Sequence, residues 1–478
     1  MSLSEHDQHA DDIRRETFKP NPDRPGDPSL SAAVAALKDE ILSEDRVALE
    51  FVARHGSRVR YDHSINSWFV YDGQRWLQDH TQRAYAWTRE LARELSIDEA
   101  PGTRRSAGRA GFARGVEELA SRDQTVAVVA DDWDQDLFAL GTPSGTVDLR
   151  TGLIRAPKPA DHITKNTAVA PAGRADCPRW TLFLEESTGG DEELMRFLQQ
   201  WAGYNLTGST QEQALAFFHG PGGNGKSVFA NVVGGIMGDY AKVAALDTFT
   251  ASPHERHPEE LATLAGARMV SASETEAGKR WAEARVKSLT GGETIRARFM
   301  RQDSFEFRPQ FKLTVLGNYA PAITNLDDAI RRRFLIIPFT RKPTNPDPTL
   351  EEQLRAEWPG ILRWMIEGCL DWQQNGLCKP ASVLAATQDY FADQDVFAQF
   401  LDERCDVDRE NEHKFEAKVV LFNAWADYAK AVGEPAGTGK TFKEAMRRRG
   451  FPDPVQIKAI RTKGYRGIRL TLAESREG

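Results

Sequence analysis

At 478 residues, with 40% hydrophobic and 28% charged side chains and a mean hydropathy of −0.52, the chain has room for two to four domains that each bury a core. No run approaches the roughly 18 to 20 apolar residues of a membrane span, and the polar, acidic start MSLSEHDQHADDIRRE reads as neither a signal nor a transit peptide. The net charge of −8 argues against a nucleic-acid partner only if it is evenly spread, and four scattered cysteines without a C-x-x-C pair argue against metal clusters and disulfide frameworks and fit a reducing cytoplasm.

Residues 1–45 are rich in Asp, Pro, Arg and Ser and read as a flexible arm, broken by the short helical run SAAVAALKDEIL. From Val59, RVRYDHSINSWFVYDGQRWLQD alternates aromatic and polar residues around a D-G turn, the pattern of a β-hairpin. The helical stretches AYAWTRELARELS and GRAGFARGVEELASR follow, and then the strand-and-turn block LFALGTPSGTVDLRTGLIRAP. Together they predict a small α+β domain over 46–175, ending near Ala172, with no His/Cys cluster or carboxylate pair to suggest chemistry.

From Trp180 two helices are predicted, leading into the strand Ala214–Phe218. Immediately after it comes Gly220-Pro221-Gly222-Gly223-Asn224-Gly225-Lys226-Ser227, then Val228 and a helical run, SVFANVVGGIMG. This is a full G-x-x-x-x-G-K-[ST] match in its required strand–loop–helix context. Backbone N–H groups of such a loop cradle phosphate oxygens, the lysine neutralises β/γ charge, and the serine hydroxyl ligates Mg²⁺. ATP and Mg²⁺ are the cofactors this implies. A second G-K-T, in GEPAGTGKTF, does not qualify: five residues before Gly439 stands Glu434 instead of glycine, and a helical run precedes it instead of a strand. It predicts a helix cap at Thr438 or Thr441.

An ATPase of this kind needs a carboxylate at a neighbouring strand end. ARMVSASETE offers a strand at Met269–Ser273 followed by Glu274, the first choice, and Glu276, the fallback. FKLTVLGNYAP is a β-rich run ending at Asn318, whose amide either positions water beside a γ-phosphate or merely closes a turn. DDAIRRRFLIIPF sets three arginines before an apolar strand, and an arginine reaching a neighbour's γ-phosphate stabilises transition-state charge.

The compact series of glycine loop, short acidic strand, Asn-tipped strand and arginine resembles superfamily 3 helicases. It is most similar to the phage and plasmid primase-helicase family that includes the poxvirus primase-helicase. WFVYDGQRW and GTPSGTVDLRTG resemble that family's helicase-preceding domain, and ELATLAGARMVSASETE, EARVKSLTGGETIRARF and FEFRPQFKLTVLGNYAPAI extend the likeness. The resemblance implies an α/β, AAA+-like P-loop core at 176–345, a helical lid or connector at 346–404, and a winged-helix domain at 405–478. It implies that Lys226 and Ser227 bind ATP–Mg²⁺, that Glu274 is the second-strand acid and metal ligand, and that Asn318 is the polar sensor. Arg333, six residues before Phe339, best matches a finger acting in trans, with Arg332 next. Many members carry two adjacent acids where this chain has Ser273 and Glu274, which places more of the metal and water work on Glu274.

The resemblance also implies a hairpin gripping single-stranded DNA, matched by LTGGETIRARFMRQDSFEF with Arg296, Arg298 and Arg301; the alternative is that these cations pair with Glu293 and Asp303. From Gly437 to Thr471 ten Lys/Arg stand against only Glu444 and Asp453. From roughly Phe415 to Leu472, two helices (VVLFNAWADYAKAVG and TFKEAMRRRG) and two short strands around KGYRG predict a winged helix contacting double-stranded DNA through Arg447, Arg448, Lys463 and Arg466, with Tyr465 also in the wing. The expected function is a replicative DNA helicase working as a homo-oligomeric ring, a hexamer by resemblance, with any primase or polymerase on a separate chain. An origin-melting initiator and a bifunctional primase-helicase are the alternatives.

Overall fold

The computed structural model describes residues 42–251, 259–273, 279–299, 303–323, 326–343, 346–411, 413–433, 435–457 and 462–471. The expected N-terminal arm, apart from 42–45, lies outside them.

In the first unit the alternating stretch forms three strands. After helix α1 (Glu44–His55) come β1 (Val59–Asp62), β2 (Ser67–Tyr71) and β3 (Trp76–Gln78), paired antiparallel in the order β3-β2-β1. The D-G turn sits between β2 and β3, with Gly73 at φ 102. Helices α2 (Arg83–Leu95), α3 (Pro101–Ala107) and α4 (Ala110–Ser121) follow, and β4 (Ala127–Val128) joins the sheet parallel to β1. Apolar residues at helical spacing, among them Phe51, Leu91 and Val116, close over the sheet face at Val59 and Trp68. A second, antiparallel sheet comprises β5 (Ala139–Thr142), β6 (Gly145–Asp148) and β7 (Leu153–Arg155).

The second unit opens with α5 (Pro178–Thr188) and α6 (Glu192–Leu206). A five-stranded sheet follows, interleaved with helices: β8 (Leu215–His219), α7 (Lys226–Met237), β9 (Ala241–Val243), α8 (Glu259–Ala262), β10 (Met269–Ser273) and α9 (Glu283–Gly291). The hairpin β11 (Ile295–Arg298) and β12 (Ser304–Phe307) comes next, and then β13 (Lys312–Gly317), α10 (Asp328–Arg331) and β14 (Phe334–Pro338). The sheet order is β14-β8-β13-β10-β9 with every pairing parallel, so β8, β13 and β14 read as near-continuous apolar runs buried on both faces. Helices α11 (Leu350–Ala356), α12 (Trp358–Asn375) and α13 (Ala381–Gln394) pack into the same cores through Leu354, Met365, Trp372, Val383 and Phe391.

Helices α6 and α12 meet backbone to backbone. A Cβ on Gly203 would run into the main chain of Met365, Gly368 and Cys369, and one on Gly368 would run into Gln199. Gly203→Ala, which favours an isolated helix by about 1 kcal/mol, is therefore expected to destabilise this unit by about 3 kcal/mol through overpacking. Denaturant unfolding followed by tryptophan fluorescence will measure it; an unchanged midpoint contradicts the packing.

One buried cation binds the first unit to the second, and another is buried within the second. Arg268 donates to Leu206 O (2.7 Å), Ala139 O (2.9 Å) and Asp136 O (3.4 Å), and lies 4.5 Å over the Tyr240 ring. Lys312 donates to the carbonyls of Thr207 and Gln310 beneath the Tyr204 ring, and burial holds its ammonium well below the usual lysine pKa. Tyr240 Oη adds a hydrogen bond to Lys165 O and accepts one from Gly141 N.

The third unit begins with α14 (Val396–Arg404), whose Phe400 and Leu401 enter its core. It continues with β15 (Cys405–Val407), β16 (Phe415–Ala417), α15 (Lys418–Ala431), α16 (Gly439–Arg448), β17 (Val455–Ile457), β18 (Thr462–Arg466) and β19 (Ile468–Leu470). Strands β16-β18-β17 form one antiparallel sheet, and β15 pairs with β19. The second G-K-T caps a helix: Thr438 Oγ1 accepts from Thr441 N, and Thr441 Oγ1 accepts from Thr438 N. KGYRG departs from expectation. Lys463–Arg466 lie in strand β18, where Gly464 pairs with Ala417 and lets Glu416 O of β16 come close, and only Gly467, at φ 73, turns toward β19. Tyr465 is consequently turned into the core beside Phe442 and Phe451, not out on a wing.

Candidate functional site

Parallel pairing aligns three strand ends. His219 of β8 stands level with Gly317 of β13 on one side and Pro338 of β14 on the other, so Gly220, Asn318 and Phe339 leave the sheet together. Phe339 N donates to His219 O at 2.7 Å, and Asn224 Nδ2 donates to Phe339 O. Gly220 is required where it stands, since a Cβ there would strike Phe339 O. Gly225, at φ 88, lies against Ser187 and the Phe183 ring, whereas Gly222 and Gly223 face open space. Pro221 is exposed beside them.

Lys226 starts α7 and is 6% exposed. Its Nζ donates to Gly220 O (2.6 Å), Asn224 Oδ1 (2.9 Å) and Asn318 Oδ1 (3.2 Å), so the loop lysine and the strand-tip amide are in direct contact. Burial lowers the Lys226 pKa, and burial likewise lowers that of His219. Ser227 is exposed in the first turn of α7, which carries no acid.

These groups border a cavity of 420 Å³. Its sheet side is Ser273, Leu316 and Asn318; the loop through Val228 forms its floor; α5 supplies Phe183, Glu186 and Ser187. Arg179 and Asp347, paired at 3.3 Å, close the far side with Leu350. Hydrogen bonds from Thr349 first, and from Arg179 among others, hold the Asp347 carboxyl below its usual range. The α5 and 343–350 walls carry no sequence motif; only a left-handed Gly225 pressed on a neighbour hints at them. β10 brings Ser273 to the cavity, while Glu274 and Glu276 lie outside the described residues.

The arginines before β14 divide. Arg333, expected to point at a neighbouring copy, turns into its own subunit and is 7% exposed. It donates to Thr290 Oγ1 (3.1 Å), Ala329 O (2.7 Å) and Gln213 Oε1 (3.3 Å), and burial lowers its pKa. Arg332 is exposed and has no side-chain hydrogen bond or ion pair among the described residues.

In the hairpin, strand alternation buries Ile295 and Ala297 and exposes Arg296 and Arg298. Arg296 donates to Ser304 Oγ at 2.7 Å, and neither arginine pairs with Glu293 or Asp303. Phe299 stacks on Phe305 at 5.6 Å, and Arg301 lies outside the described residues. In the third unit Arg447 and Arg448 are exposed in the last turn of α16, and Lys463 and Arg466 are exposed on β18. Neighbouring Arg449 pairs with Asp395. Among the described residues no group of three or more His, Cys, Asp or Glu could hold a metal ion, and no helix is long and apolar enough to cross a membrane.

The class defined is an α/β protein in which a parallel strand flanked on both sides runs through a glycine loop into a helix, with a lysine, a strand-tip amide and a strand preceded by arginines beside it. A family described as D5 N terminal like matches residues 48–189, and a family of unknown function (DUF5906) matches 218–333. A candidate helicase of Acanthamoeba polyphaga mimivirus is 27% identical over 294 residues, 56% of this chain and 30% of its own length. One from Frog virus 3 (isolate Goorha) is 26% identical over 270 residues, 52% of this chain and 27% of its own. The chain thus spans under a third of these relatives. Two apo structures of the NrS-1 C-terminal region share its fold, at TM-scores of 0.52 and 0.50 and identities of 10% and 13%, each covering 90% of this chain and 100% of theirs. These matches support a phage or viral primase-helicase family for the chain.

Proposed function

We propose that the chain is an ATP-dependent replicative DNA helicase that works as a ring of its own copies, six by the family resemblance, and moves along single-stranded DNA. The contact of Lys226 with Asn318 over the open end of the sheet carries this reading, because it joins phosphate binding to a group that can sense the γ-phosphate. The cradle fits ATP with Mg²⁺: open space lies before Gly222 and Gly223, an ammonium stands at its base, and the exposed Ser227 hydroxyl suits a divalent cation. When bound, ATP–Mg²⁺ supplies the phosphoanhydride whose hydrolysis drives motion. Lys226 offsets phosphate charge, Asn318 orients water, and Glu274, directly after Ser273, keeps the role of acid and metal ligand. The finger acting in trans is assigned to Arg332, since Arg333 is engaged within its own subunit.

Arg296, Arg298 and Arg301 suit a grip on the single strand, and the third unit, read as a winged helix, presents Arg447, Arg448, Lys463 and Arg466 to duplex DNA. On forked DNA the protein should displace a strand with ATP and not with a non-hydrolysable analogue. The exposed cations of α16 and β18 favour one second reading, an origin-melting initiator. Rapid hydrolysis without strand displacement, with sequence-specific duplex binding, would select it.

A further inference from the structure

We infer that α3 and the start of α4, in the first unit, form an additional DNA contact that holds the phosphate backbone of a duplex. The inference rests on the helicase reading for the identity of the polymer. From Pro101 to Arg114 the chain carries Arg104, Arg105, Arg109 and Arg114 and no acid. All four are exposed, and none has a side-chain hydrogen bond or ion pair among the described residues. Four other exposed arginines of the unit are matched, Arg54 with Glu50 and Glu94, Arg122 with Glu118, Arg150 with Asp136 and Arg155 with Asp161, whereas Arg83 and Arg93 of α2 are exposed without an ion pair among the described residues. Unmatched cations this close together along the chain repel one another, a cost that a polyanion removes.

The surface is also shaped for close approach. Between the arginines lie Ser106, Gly108, Ala110 and Gly111, and a Cβ at Gly102 or Gly111 would meet nothing within 4 Å. The backbone is already ordered: Gly108 N donates to Arg104 O, Arg109 N to Ser106 O, and Ala107 is buried against the unit's core. The first turn of α4 has no acid and no side-chain cap, which adds to the positive field. Phe112, the one aromatic in the stretch, packs inward. With no ring offered for base stacking, the contact reads phosphates alone, and a duplex presents them at twice the axial density of a single strand.

The test is Arg104→Glu/Arg105→Glu/Arg109→Glu in the full chain, titrated by fluorescence anisotropy against a labelled duplex and a labelled single strand over a salt series. Duplex affinity should fall at least about tenfold at low salt, and the log–log salt slope should flatten by roughly 0.9 per lost phosphate contact, near 2.7 in all. Single-strand affinity, DNA-independent ATPase and melting temperature should hold. The triple Arg→Lys variant should keep most of the duplex affinity. Wild-type binding to duplex with no change in the triple Glu variant overturns this inference alone, as does an equal loss in the Lys variant. An equal fall for single strand overturns the duplex assignment. Absence of any DNA binding by the wild type overturns the helicase reading and this inference with it.

Discussion

Lys226→Ala is expected to lose ATP hydrolysis by at least about 10²–10³-fold, the effect of deleting one preorganised donor from a transition-state site. The native ammonium is buried by its own loop and held by three oxygens, so a bound phosphate would meet a cation already fixed in direction and poorly screened. The change should spare the fold, because the oxygens left behind, those of Gly220, Asn224 and Asn318, border a cavity that water can enter. Phosphate release measured with and without DNA, alongside thermal melting, gives both halves of the result. Near-normal hydrolysis in a folded variant would remove the loop from the mechanism.

The adjacent arginines are expected to fail in opposite ways. Arg332→Ala should keep its melting temperature, being a surface change with no partner to lose. Its hydrolysis should fall by about 10³–10⁵-fold if it reaches a neighbour's phosphate. Mixing it with Lys226→Ala subunits should restore part of the activity, since each supplies what the other lacks. Arg333→Ala strips buried hydrogen bonds from Thr290, Ala329 and Gln213 and should cost about 2–4 kcal/mol. At roughly 2–4 °C per kcal/mol for a unit of 150–250 residues, that is a clear drop in melting temperature. A stable but inactive Arg333→Ala beside an active Arg332→Ala would return the finger to Arg333.

Sequence periodicity located the elements that position the site. The strand expected at Met269–Ser273 is β10, and the strand expected at Ala214–Phe218 is β8 shifted by one residue. These were legible because buried parallel strands are unbroken apolar runs and the glycine loop has fixed spacing. The choice between Arg332 and Arg333 was not legible. Successive residues at a helix end point about 100° apart, and the cap of α10 decides which faces inward. KGYRG misled because its glycines suggested a turn, while Gly464 serves a strand pairing made with a segment nearly fifty residues earlier. The α5 wall of the cavity had no motif of its own, since Phe183 and Ser187 follow an ordinary amphipathic pattern and meet the loop only through tertiary packing against Gly225.

The seam between the first and second units carries one more consequence. Arg268 spends its guanidinium on carbonyls from both sides, and Tyr240, from the second unit, commits its hydroxyl to Lys165 O and Gly141 N of the first. A swivel there would strand a buried charge, so the first unit cannot be a loose appendage. The two are held as one body by these contacts. Severing the chain near residue 175 would yield two fragments with raw faces in place of two domains.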